Sequence, residues 1–88
     1  MSNGAAEVRS ILKDVSLSGA VVVDKKKLLW LLGWGQDRPG AWKGLLDHWK
    51  ELGEELGGLY GMEVGGKIIL SLKGTGKFST VADWAGES

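Results

Sequence analysis

The sequence predicts an α+β fold, three helices with a small antiparallel sheet, in the order helix, strand, helix, helix, hairpin. Three observations predict it. Residues 21–34, VVVDKKKLLWLLGW, set three β-branched residues directly before a basic-headed apolar helix. Residues 42–56 carry Trp42, Leu45, Leu46, Trp49, Leu52 and Leu56, which form one stripe on a helical wheel. Residues 59–73 then switch to a period of two around Gly65-Gly66, the signature of a tight hairpin.

The elements follow in chain order. Residues 5–15 place Ala5, Val8, Ile11, Leu12 and Val15 at helical spacing, with Asn3 as N-cap. The run SLSG at 16–19 is expected to break this helix. Val21–Val23 reads as a short edge strand, and Asp24 can cap the helix after it. That helix turns Leu28, Leu29, Leu31 and Leu32 inward and stops at Gly33. Its three lysines oppose the helix dipole, so they either serve a partner or keep an apolar helix soluble. GWGQDRPG is a loop in which Gln36 or Asp37 starts the third helix and Pro39 occupies its first turn. Gly57-Gly58 ends that helix. Val64 and Lys67 flank the glycine pair of the hairpin. Thr80 and Asp83 have capping-box spacing, so Val81 and Trp84 can ride on a short helical turn. Residues 1–73 are thus expected to form the domain, and 74–88 a C-terminal tail, partly flexible or a short docking helix.

Composition narrows the function classes. Eighty-eight residues with 43% apolar content suit one small core without a deep substrate cavity. There is no Cys, hence no disulfide, thiolate metal site or cysteine nucleophile. A single His cannot build a histidine-rich metal site. No cofactor is implied. No apolar run reaches bilayer length and no signal peptide is visible at the N-terminus, so the expected location is cytoplasmic, with no membrane partner. Formal net charge is zero, but unevenly spread. Through Lys50 there are eight basic against five acidic residues, a net of +3, and from Glu51 onward three against six, a net of −3. A polyanion would have to meet the first half.

Catalytic motifs are weak. GMEVGGK at 61–67 has phosphate-loop spacing, but Ile68 stands where the magnesium-binding hydroxyl belongs, and the stretch reads as a hairpin. His48 has no Ser or Cys partner and sits at the flank of its helix. Asp47 and Glu51 read as a solvated face rather than an acid–base pair. No enzyme activity is expected. Trp42 and Trp49 belong to the core stripe, and Trp30, Trp34 and Trp84 are expected to pack at the core or its boundary.

The element order resembles a winged helix-turn-helix domain over residues 5–73. Leu32-Gly33-Trp34 matches the common Leu-Gly-x end of the second helix in that superfamily. Trp42, Leu46, Trp49 and Gly53 match the recognition-helix pattern, while the turn GWGQDRPGA is longer than is common. The resemblance implies that Val21–Val23 pairs with the strand 67–72 to make three strands. It also implies double-stranded DNA as partner and a role as a small transcription regulator. Lys25, Lys26 and Lys27 then head the second helix, Arg38 lies in the turn, and Lys67 is at the wing tip. On the third helix, Gly40, Gly44, Asp47 and Glu51 face away from the stripe, with Lys43 and Lys50 on one flank. Lysines there can reach phosphates, small residues allow close approach to a groove, and Asp47 can accept from a cytosine amine. A homodimer through the first helix or the Phe78–Trp84 tail is expected for a domain that reads few base pairs. Zero net charge favours the alternative, a protein-interaction module on the same scaffold.

Overall fold

The computed structural model describes residues 4–53 and 58–86. It contains α1 (Gly4–Ser18), β1 (Ala20–Asp24), α2 (Lys25–Leu31), α3 (Pro39–Leu52), β2 (Tyr60–Val64), β3 (Lys67–Ser71), β4 (Ser79–Thr80) and α4 (Val81–Trp84). The sheet is antiparallel and four-stranded, in the order β1-β3-β2-β4. Among the described residues no helix is long and apolar enough to cross a membrane.

The predicted pairing of the valine strand with β3 is present, with Val21 opposite Leu70 and Val23 opposite Ile68. Gly65 and Gly66 close the hairpin at φ 55° and 78°, the left-handed region that a two-residue turn of this type requires. The fourth strand is an addition to the three expected. Tyr60 and Gly61 of β2 pair with Thr80 and Ser79, and the Val81 N–H donates to the Leu59 carbonyl at 2.9 Å. Residues set apart as a tail therefore contribute a strand and a helical turn to the core. Val81 is fully buried, and Thr80 caps its turn by accepting from the Asp83 N–H at 3.1 Å.

Two helix boundaries differ from expectation. α1 runs on through Ser16–Ser18 because the Ser16 and Ser18 hydroxyls donate back to the Lys13 and Asp14 carbonyls, at 2.7 and 2.6 Å. Gly19, at φ 93°, then ends it. α3 starts after Arg38 without a side-chain cap, since the Asp37 carboxylate is taken by Trp42 and Lys25. At its far end α3 closes at Leu52 with Gly53 as C-cap. Leu56 and the helix end expected at Gly57 lie outside the described residues, as does the Asn3 cap.

α2 behaves as predicted. Asp24 accepts from the Lys27 N–H at 3.1 Å. At the other end Gly33 donates to Trp30 and Trp34 to Leu29, at 3.0 and 2.9 Å, the paired bonds of a Schellman stop. The core forms where α1 (Val8, Leu12, Val15), α2 (Leu28, Leu29) and α3 (Ala41, Trp42, Leu45, Leu46, Trp49) meet Ile68 and Leu70 of β3. Trp84 joins it edge-on to Trp42, ring centroids 5.0 Å apart. Trp30 departs from its expected boundary packing: it is 74% exposed, on the side of α2 away from Leu28 and Leu29.

Candidate nucleic-acid interface

The candidate basic residues divide into two groups. Lys25, Lys26, Lys27 and Lys67 are drawn together where α2 starts. The Lys25 N–H donates to the Gly66 carbonyl at 3.0 Å, and Lys67 stands opposite Asp24 in the β1–β3 register. The head of α2 is thereby fastened to the hairpin tip. Lys43 and Lys50 are exposed along α3, two helical turns apart on one flank, with Asp47 exposed beside them. Arg38 lies at the start of α3 and donates to the Gln36 side-chain oxygen at 3.2 and 2.9 Å.

Within the first group the lysines are not equivalent. Lys25 is held between two carboxylates, 2.8 Å from Asp37 and 2.9 Å from Glu63, with its side chain only 19% exposed. The hydrogen bond that Lys25 donates to Asp37, and then the one it donates to Glu63, raise its ammonium above the ordinary lysine range. Asp37 is held below the ordinary carboxylate range, first by Lys25 and further by the Trp42 indole N–H, which donates to it at 2.7 Å. Lys25 thus ties the α2–α3 turn to β2, and its charge is already balanced by two carboxylates, which weakens any attraction for a phosphate. Lys27 pairs with Glu7 of α1 at 3.1 Å. Lys26 and Lys67 are exposed and have no ion pair among the described residues.

The solvent side of α3 is shaped by two glycines of different kinds. A methyl group built on Gly40 would meet the Trp34 ring at 2.6 Å, so Gly40 is small because Trp34 packs over it. A methyl group on Gly44 would meet nothing within 4 Å. Glycine inside a helix costs about 1 kcal/mol relative to alanine, and no packing neighbour explains that cost at Gly44. On the opposite flank Glu51 lies 3.4 Å from Arg9 of α1 and 3.3 Å from His48 Nδ1, so this edge of α3 is turned towards α1.

A cleft of about 750 Å³ opens between the start of α3, the hairpin and α4, with Trp42, Met62, Glu63, Lys77 and Trp84 in its walls. Two carboxylates that line it, Asp37 and Glu63, both accept from Lys25. The Lys25 clamp and the covering of Gly40 by Trp34 were missed by sequence reasoning. Both join residues whose proximity only the folded chain creates.

The chain matches none of the family models, curated proteins or solved structures compared with it.

Proposed function

We propose that the protein is a DNA-binding domain of winged helix-turn-helix type, a small transcription regulator in which α3 enters a groove and the β2–β3 hairpin acts as the wing. The observation that carries this reading is Gly44. It is an interior helical glycine with open space around it, flanked by exposed Lys43 and Lys50, and it leaves the backbone of α3 accessible to a close partner. Further support comes from β1 pairing with β3, and from a glycine-turned hairpin that carries Lys67 beside the head of α2.

The phosphate contacts are Lys26, Arg38, Lys43, Lys50 and Lys67, while Lys25 is held between two carboxylates and Lys27 is paired at the surface with Glu7. About five contacts give a log–log salt slope of about −4.5. The test is a titration of labelled duplex DNA across a salt series. Lys67→Glu weakens binding to all sequences alike, because a phosphate contact carries no base information. Asp47→Ala changes the order of preferred sequences, because a carboxylate there reads a base edge. Absence of binding at tens of micromolar protein in low salt refutes the reading. The protein-interaction alternative then stands, favoured by Trp30 at 74% and Leu17 at 76% exposure.

A further inference from the structure

We propose that the free edge of β1 pairs with the β1 of a second copy, antiparallel about a two-fold axis at Val22. This is independent of the DNA reading and concerns the opposite end of the sheet from β4.

β1 is an edge strand. Two bonds bracket its ladder with β3: Leu72 N–H to the Gly19 carbonyl and Lys25 N–H to the Gly66 carbonyl, each 3.0 Å. In an antiparallel ladder every second residue bonds to the neighbour, so residues 19, 21, 23 and 25 face β3. The N–H and C=O groups of Ala20, Val22 and Asp24 therefore point away from the sheet. The Ser18 hydroxyl, whose proton goes to the Asp14 carbonyl at 2.6 Å, lies at a long 3.2 Å from the Ala20 carbonyl, and the Asp24 carbonyl opens α2. Val22 has both groups without a partner among the described residues, and its side chain is 60% exposed.

This edge is complementary to itself. A two-fold at Val22 sets Val22 opposite the second copy's Val22 with a reciprocal pair of bonds. It sets Ala20 opposite Asp24 at either end, where the Asp24 N–H donates to the Ala20 carbonyl. The one charged residue of the strand, Asp24, ends up about 13 Å from its counterpart. A parallel arrangement would set the two carboxylates side by side. On the outer sheet face, Val22 is in register with Ile69, and Ile69 with Met62. Pairing makes this apolar row continuous through both copies.

Charge favours the same arrangement. α1 ends just before β1 and has no basic residue in its last turn. α2 starts just after β1 with three lysines and no acidic residue in its first turn. The two-fold carries the head of α2 in one copy to the carbonyl end of α1 in the other. There Lys26 meets the negative pole of a helix rather than the positive pole of its own. The sheet's other edge, β4, is two residues long, so the pairing closes at two copies instead of propagating.

The experiment is sedimentation equilibrium of the full chain without nucleic acid, from about 10 μM to about 1 mM, the range in which a small interface associates. Wild type is expected to rise with concentration from 9.4 kDa towards twice that mass. Val22→Pro removes an N–H that the β1–β3 ladder does not use, so it keeps the fold and stays monomeric. Val22→Lys sets like charges directly opposite and also stays monomeric. Amide exchange gives an independent reading on wild type: protection at Val22 grows with concentration, while Val21 and Val23 do not change. A mass fixed at one chain throughout, a dimer that persists in both variants, or concentration-independent exchange at Val22 overturns the proposal.

Discussion

Gly44 separates a helix face kept small for a partner from one that is small by accident. Alanine at this position meets no atom within 4 Å, so the substitution adds no clash and fills no gap. What remains is helix propensity, which favours alanine over glycine by about 0.8–1.0 kcal/mol in a helix interior. For a domain of this size, about 1 kcal/mol raises Tm by roughly 4–8 °C. Methionine has nearly the propensity of alanine and should stabilise almost as much, but its side chain projects well beyond Cβ into the space a groove wall would occupy. The assay pairs a thermal melt by circular dichroism with the low-salt DNA titration. Gly44→Ala and Gly44→Met are both expected to melt higher than wild type, with Met binding DNA at least about tenfold more weakly, a loss of about 1.4 kcal/mol. A lower melting temperature for Gly44→Ala would refute the inference that the space is open. A higher melting temperature with unchanged DNA affinity in Gly44→Met would refute the inference that this face meets the nucleic acid.

Other perturbations probe the core, the tail and the clamp. Trp42→Ala or Trp49→Ala should cost about 3–5 kcal/mol, enough to unfold much of a marginally stable small domain at 37 °C. Melting temperatures near wild type would contradict their burial at 3% exposure each. Val81→Ala should cost about 2 kcal/mol, and a chain ending at residue 78 should lose its cooperative melt, because Val81 is fully buried and Trp84 packs edge-on to Trp42. A truncated chain that melts like the full one would show the tail to be dispensable. The clamp predicts a pH dependence on both sides. Asp37 has a depressed folded-state pKa, so its contribution is complete above the ordinary carboxylate value and is lost as pH falls below about 4. Lys25 has a raised one, so its contribution is complete below the ordinary lysine value and is lost as pH climbs past about 10.4. With Asp37 47% exposed, solvent limits the pair to roughly 0.5–1 kcal/mol. Melting curves of Asp37→Asn and wild type should converge at acid pH, and parallel curves over that range would remove the clamp from the stability argument.

Features whose cause is local were legible in the sequence. Three valines before an aspartate cap, a Gly-Gly pair between alternating runs, and a tryptophan-leucine stripe each specify an element through nearest neighbours in the chain. β4 was not visible because two residues carry no period. Ser79 and Thr80 become a strand only because Val81 and Trp84 bury themselves against the core and draw the backbone alongside Tyr60 and Gly61. At Gly61 a side chain would strike the Trp84 ring at 2.7 Å, so the docking needs glycine in β2. The extension of α1 was hidden by serines, which suit a helix interior only when their hydroxyls bond back to the preceding turn. In the candidate interface, the sequence could count lysines but could not tell which were already engaged. Nor could it distinguish Gly40, which accommodates a tryptophan, from Gly44, which faces open space.

Among the cations of this neutral chain, Arg9, Lys25 and Lys27 lie against carboxylates. Glu63, from the acidic half of the sequence, is used against Lys25, and Glu51 lies against Arg9, both from the basic half. These pairs tie the halves together and remove charge from the field outside. The cations left on the α2 head, the hairpin tip and the α3 flank share that surface with exposed Asp47, whose carboxylate repels phosphates unless it meets a base-edge donor. On the proposed DNA-binding reading, a single domain with about five phosphate contacts would bind loosely at physiological salt. Pairing through β1 engages Lys26 at the seam and leaves about four phosphate contacts in each copy, so the salt slope of a cooperative two-copy complex should approach about −7. Val22→Pro should return it to about −4.5 without touching any phosphate contact. A slope unaffected by Val22→Pro, in a variant that is monomeric without nucleic acid, would refute assembly of the β1 pair on DNA.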